Sequence, residues 1–173
     1  MNRMINWIVQ TEAGRRIEIQ LLMNLVTSSL SLPCQRLLRV PSGQSLEIFA
    51  AFTARHLASC SDEQLHRLHA KALRLGGSLR RFLIHRDDES VTRLIFQLYR
   101  NIGIFMEGRL PEKVIVRSCF FCRHYSPEIC KAASMMDSGV ISGLMGGGKL
   151  EFSARITEGN PGCICSLTTH SKQ

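Results

Sequence analysis

The feature that most constrains this chain is a change in hydrophobic period near residue 102. Before that point apolar residues recur at helical spacing; after it they alternate, as one face of a strand requires. Residues 17–30 place Ile17, Leu21, Leu22, Leu25 and Leu30 on a rough stripe that Leu32-Pro33-Cys34 stops, and residues 5–8 read as an earlier helical stretch. Pro41-Ser42-Gly43 reads as a turn, and residues 46–57 as a second helix carrying Leu46, Phe49, Phe52 and then His56 or Leu57. Ser61 with Gln64 three positions on has the form of a capping box. The helix it starts has Leu65, Leu68, Ala72, Leu75, Leu79 and Phe82 on one side. That spacing continues through Gly76-Gly77 and predicts one long helix with a closely packed or kinked middle. Asp87-Asp88-Glu89-Ser90 opens another, its acids placed where a helix N-terminus favours negative charge, with Val91, Leu94, Ile95, Leu98 and Ile102 as its apolar face.

Beyond the change of period, residues 102–106 and 113–119 read as two strands joined by a turn-rich loop. Ser126-Pro127-Glu128 is a helix start, with a capping serine, proline at the first position and an acid in the first turn. This helix is expected to end near Met145, before Gly146-Gly147-Gly148. Leu150, Phe152, Ala154 and Ile156 then alternate with polar residues as a half-buried strand. Gly159-Asn160-Pro161-Gly162 is a turn, and residues 163–169 form the last strand. The order predicts an α+β fold: N-terminal helices, then an antiparallel sheet built strand-strand-helix-strand-strand with the helix packed on it. We divide the chain into a helical region over 1–60, an α+β ligand- or metal-binding domain over 61–169, and a tail over 170–173.

Composition narrows the function classes. The chain of 173 residues is 45% hydrophobic, enough for a true core, and no stretch approaches the roughly 18 apolar residues of a membrane span. It shows no signal-peptide pattern, so a cytoplasmic location and no membrane partner are expected. The net charge of +8 raises nucleic acid as a partner, with the densest basic cluster at Arg67, Lys71, Arg74, Arg80, Arg81 and Arg86. Only Phe82 interleaves an aromatic ring with that cluster, so a solvated basic helix face is the favoured reading. Helix faces such as 46–52 fit either a core or a homodimer interface.

The seven cysteines are an odd number in a chain without a secretory signal, which argues for reduced thiols over a disulfide scaffold. Five fall in the C-terminal part. Cys119 and Cys122 form a C-x-x-C pair at the end of a strand, and Cys130 lies in the first turns of the following helix. Cys163 and Cys165 alternate on a strand and therefore share a face. Soft sulfur donors at these positions suit zinc, with an iron–sulfur cluster as the alternative, and Cys119, Cys122, Cys130 and Cys165 are the candidate ligands. Core filling is the competing explanation, above all for Cys163 and Cys165. On the helix, Cys130, Ser134 and Asp137 fall at i, i+4 and i+7, one face, with Asp137 either a general base or an exposed acid. Tyr125 and His124 lie between the cysteines, His124 reading as a surface residue. Arg155 and Glu158 flank the last turn and either bind a polar ligand group or pair at the surface.

"SPEICKAASMMDSGVISGL" followed by a strand and "RITEGNPGCICSL" resembles the 4-vinyl reductase ligand-binding domain. The same stretch resembles the 2-aminothiazoline-carboxylate hydrolase-like proteins, through Thr157, Gly159 and Cys165. Both resemblances cover the last third of the chain. The first implies an α+β fold, a largely apolar small-molecule pocket and, in some members, a zinc held by cysteines, to which Cys130 and Cys165 correspond. Thr157 stands where that family carries a further cysteine, and Ala154 where it carries a glutamate. The second implies hydrolytic ring opening, with Asp137 and Cys165 at matching positions. The expectation is a small-molecule-binding protein with a cysteine-rich metal site, Tyr125, Ser134 and Arg155 serving the organic ligand. The alternatives are a hydrolase of heterocyclic or amide-like compounds using Asp137, and a basic regulatory protein that binds nucleic acid or a protein partner.

Overall fold

The computed structural model describes residues 11–168; the stretch 5–8 and the tail after 168 lie outside the described residues. Four helices come first: α1 (Glu12–Leu30), α2 (Ser42–Leu57), α3 (Asp62–Arg81) and α4 (Asp88–Asn101). The strands β1 (Ile104–Arg109) and β2 (Lys113–Cys119) follow, then a short 3-10 turn (Phe120–Arg123) and α5 (Pro127–Met145). Strand β3 (Lys149–Ala154), a second 3-10 turn (Ile156–Glu158) and β4 (Cys163–Thr168) complete the fold. The sheet is antiparallel throughout, in the order β1-β2-β4-β3. This is the α+β arrangement that the change of period predicts.

The local helix signals act as read. Ser61 Oγ accepts from the Gln64 amide and Gln64 Oε1 accepts from the Ser61 amide, so the capping box closes on both sides. Asp87 caps α4 through the Ser90 amide, and Ser126 caps α5 through the Ile129 amide. Helix α5 ends at Gly146 with φ 89°, a left-handed turn that costs glycine little.

Three details differ from expectation. Helix α2 begins at Ser42, inside the segment read as a turn, because Glu12 of α1 supplies a cap from outside the helix. The Ser42 amide donates to Glu12 Oε1 at 2.8 Å and the Ser42 hydroxyl to Oε2 at 2.7 Å. Ile156 leaves the strand alternation and enters the second 3-10 turn, whose first amide meets the Cys163 sulfur at 3.3 Å. Phe82, placed on the core stripe by spacing, is instead 53% exposed, since α3 ends at Arg81 and the chain turns away.

Among the described residues, helices α3 and α5 come into direct backbone contact. A Cβ on Gly76 would fall 2.2 Å from the Val140 carbonyl oxygen, one on Gly139 2.5 Å from that of His69, and one on Gly143 2.3 Å from that of Leu73. Here the two backbones touch, so Gly76 is the close-packed middle of a continuous α3, while its neighbour Gly77 has open space. The buried face of the sheet carries Ile104, Val114, Val116, Leu150, Cys163, Cys165 and Leu167. It joins α5 and the N-terminal helices in one core running from Ile19 to Leu167, in which Leu46 and Phe49 are both buried. None of the helices among the described residues is long and apolar enough to cross a membrane.

Candidate functional site

The polypeptide brings five cysteines from four elements to one chamber. Strand β2 ends at Cys119, the 3-10 turn folds Cys122 back beside it, and the first turns of α5 present Cys130. On β4, Cys163 pairs in register with Val116 and Cys165 with Val114 of β2, which puts both thiols on the inner face, as alternation predicts. All five line a space of about 60 Å³ between the sheet and α5, together with Tyr99, Ser134, Asp137, Phe152 and Arg155. The face of α5 defined by Cys130, Ser134 and Asp137 is therefore a chamber wall.

The polar groups of the chamber are held in a short chain. The Arg155 guanidinium stacks 4.1 Å over the Phe152 ring, donates to Ser134 Oγ at 3.1 Å and reaches the Cys130 sulfur at 3.9 Å. Ser134 Oγ in turn donates to the Lys131 carbonyl at 2.7 Å. Arg155 thus points inward, whereas Glu158 pairs with Lys131 at 3.1 Å on the outside. Tyr125 lines a second space of about 60 Å³ beside the chamber, bounded also by Cys119, Cys122, Cys130 and Asp137. Its ring stacks on Phe121 and its hydroxyl is hydrogen-bonded to Thr53 of α2. Thr157 lines this second space as well, with its buried hydroxyl unpartnered among the described residues. His124 lies to the outside, paired with Glu47.

Asp137 borders both spaces. Its carboxyl is enclosed by protein, and the area it retains is cavity wall. Burial raises its pKa to about 6, against the lowering effects of the Tyr99 hydrogen bond and the Arg155 charge. Tyr99, which sequence reading did not single out, donates its hydroxyl to Asp137 Oδ1 at 2.9 Å. Its signal was a phenol on an otherwise aliphatic helix face, one turn after Ile95, where a buried hydroxyl needs a partner.

The thiols are not equivalent. Hydrogen bonding between the Cys119 and Cys122 thiols lowers the pKa of Cys122 and raises that of Cys119 well above the ordinary thiol range. Burial raises Cys163 and pushes Cys165 up to about 12. Among the described residues, no group of three or more histidine, cysteine, aspartate or glutamate side chains is placed to share a metal ion. The donor set therefore suits a thiophilic metal in kind, while closing on one would require the side chains to draw together.

On the basic face, Lys71 donates to the Ser28 carbonyl at 2.7 Å, Arg80 to the Leu144 carbonyl, and Arg67 pairs with Glu63 at 3.6 Å. Part of that charge is thus tied to the fold, Arg80 at the carbonyl end of α5.

The chain matches no protein-family model, no curated protein and no solved structure.

Proposed function

We propose that this chain is a small-molecule-binding protein whose binding centre is the chamber between the sheet and α5, with its thiols as donors for a soft metal, zinc first. The observation that carries the reading is the convergence of five cysteines from four elements on one space, beside Asp137 and an inward-pointing Arg155. Core filling would not require a guanidinium directed at a thiol, nor a buried carboxyl among sulfurs. Cys122 is the sulfur most ready to bind as thiolate; Cys119 and Cys165 would each release a proton on binding. Zinc held by four cysteines would supply a closed centre that ties β2, α5 and β4 together. Ser134 and Arg155 would orient the polar end of an organic ligand, and the stacked Phe121 and Tyr125 rings would face its apolar part. An iron–sulfur cluster would call on the same donors.

The test is metal content and visible absorption of anaerobically purified protein, followed by zinc titration with thiol counting. Near-stoichiometric metal, with Cys119, Cys122, Cys130 and Cys165 protected from alkylation, is expected. Protein that stays metal-free and unprotected under excess zinc would sink the metal part of the reading.

One observation favours a hydrolase as the second reading. Asp137, with a pKa near 6 and a hydrogen bond from Tyr99, is poised to take or give a proton near neutrality in the same chamber. Turnover of a heterocyclic or amide-like compound that D137N abolishes without unfolding the chain would favour it; turnover retained by D137N would remove Asp137 from the chemistry.

A further inference from the structure

A third cavity, of about 80 Å³, lies on the other side of Asp137, among the helices. Its walls are almost entirely hydrocarbon: Leu21 and Leu22 from α1, Leu75 and Leu79 from α3, and Leu94 and Leu98 from α4. Two acids nevertheless face into it, Glu18 from α1 and Asp137 from α5. Glu18 Oε2 accepts from Asn101 Nδ2 at 3.0 Å, and Oε1 has no hydrogen-bond partner among the described residues. Among the described residues, Asp137 likewise uses only Oδ1, toward Tyr99.

An enclosed carboxyl with a spare oxygen costs stability in such a wall, and a glutamine at position 18 would accept the same Asn101 bond without a charge to desolvate. What an acid in a leucine cavity provides is complementarity to one class of ligand, a cation carrying a short hydrocarbon tail. A carboxylate ligand would meet two acids, and a neutral alcohol would gain a hydrogen bond without charge pairing. We propose that this cavity is a binding site for a small primary alkylammonium ion, with the Glu18 carboxyl as its charge partner.

Size limits the ligand. The cavity is about half the ~150 Å³ of an apolar cavity that takes benzene, so a chain of a few carbons fits, its tail running to the rim at Leu21, which is 41% exposed. The groups around Glu18 are Arg15 on its own helix, Asn101 and Tyr99 from α4, and Asp137 from α5; α3 contributes Leu75 and Leu79 to the wall. Burial raises Glu18 to about 8, against the Asn101 bond and the Arg15 charge, so at pH 7 Glu18 is mostly protonated in the empty site while Asp137, near 6, is mostly ionised. Binding then balances as alkylammonium plus Glu18 carboxylic acid giving the alkylammonium–carboxylate pair and one proton lost to solvent. The site does not use the thiols, so metal content and amine binding fail independently.

The experiment is calorimetric titration of the full chain at pH 7 with n-butylammonium, n-butanol and butyrate at equal ionic strength. Butylammonium should bind at least about tenfold more tightly than butanol, butyrate should not bind, and E18Q should lose the proton release and most of the amine preference, Asp137 keeping the rest, with the butanol affinity unchanged. Repeating the amine titration in buffers of different ionisation enthalpy should show close to one proton released. Equal affinity for butanol, tighter binding of butyrate, or no amine binding at millimolar concentration would each overturn the proposal. The three-ligand comparison uses unaltered protein, so it decides the matter even where E18Q folds poorly.

Discussion

The Tyr99 hydroxyl donates to Asp137 Oδ1 at 2.9 Å, and this pair stands as the partition between the leucine-walled cavity and the thiol chamber. Tyr99 is itself deeply buried, its pKa raised well above the usual phenol value by desolvation and by the Asp137 charge, so it stays a donor at any working pH.

The partition makes stability depend on pH in a calculable direction. Asp137 has a pKa near 6 when folded against an ordinary value of 3.8, so between those values the native state holds more protons and stability falls as pH rises. D137N should lessen the decline in stability between about pH 4 and 6 and be more stable than the wild type at pH 7 by roughly 1–3 kcal/mol. Glu18 contributes a decline of its own from about pH 4.5 to about 8 in both proteins. Y99F should shift the Asp137 decline to higher pH, because it removes the donor that holds the carboxyl down. Circular-dichroism melts across pH check all three; a D137N protein less stable than wild type at pH 7 would show that the carboxylate has a stabilising partner.

The adjacent glycines of α3 should respond oppositely to the same substitution. Gly76→Ala places a methyl 2.2 Å from the Val140 carbonyl oxygen and should destabilise by at least about 1–3 kcal/mol. Gly77→Ala meets nothing within 4 Å in a helix interior and should stabilise by roughly 0.5–1 kcal/mol. Urea unfolding of the two variants gives the comparison directly, and equal midpoints would contradict the backbone contact.

Glu12 joins two helices, and its effect is read in acid. Its two bonds from Ser42 and the bond from Arg16 lower its pKa to about 2 from an ordinary value of 4.5. The stabilisation is therefore complete above about pH 4.5 and is lost as pH falls through 2. E12Q should lower the melting temperature at pH 6 and converge on wild type near pH 2. A double-mutant cycle with S42A at pH 6 should show coupling between the two side chains, and additive losses would count against the shared cap.

Signals contained within one turn of helix were legible in the sequence: Ser61 with Gln64, the acids of 87–89 at a helix start, and Ser126-Pro127-Glu128 each mark their own helix. The same is true of Cys163 and Cys165, which alternation alone puts on one face, and of Cys130, Ser134 and Asp137, which helical spacing aligns. What was hidden depends on chain segments far apart. Glu12 caps a helix that starts thirty residues later, so Ser42-Gly43 looked like a turn. Tyr99 finds Asp137 across two elements, and Glu18 reads as a polar interruption of a leucine stripe until Asn101 and the walls of α3 and α4 surround it. Phe82 shows the converse error, a residue in phase with a stripe whose helix ends before its side chain can reach the core.

The glycine seam at Gly76, Gly139 and Gly143 fixes more than the crossing of two helices. With backbone on backbone at these three glycines, and only the Ala72 methyl beside Gly139, little side chain lies in the seam to compress or repack, so α5 acts as the stationary jaw of a vice. The thiol chamber and the leucine cavity each have α5 as a wall, and adjustment to an occupant would therefore fall to the moving jaws: the sheet for the thiol chamber, and α1 and α4 for the leucine cavity.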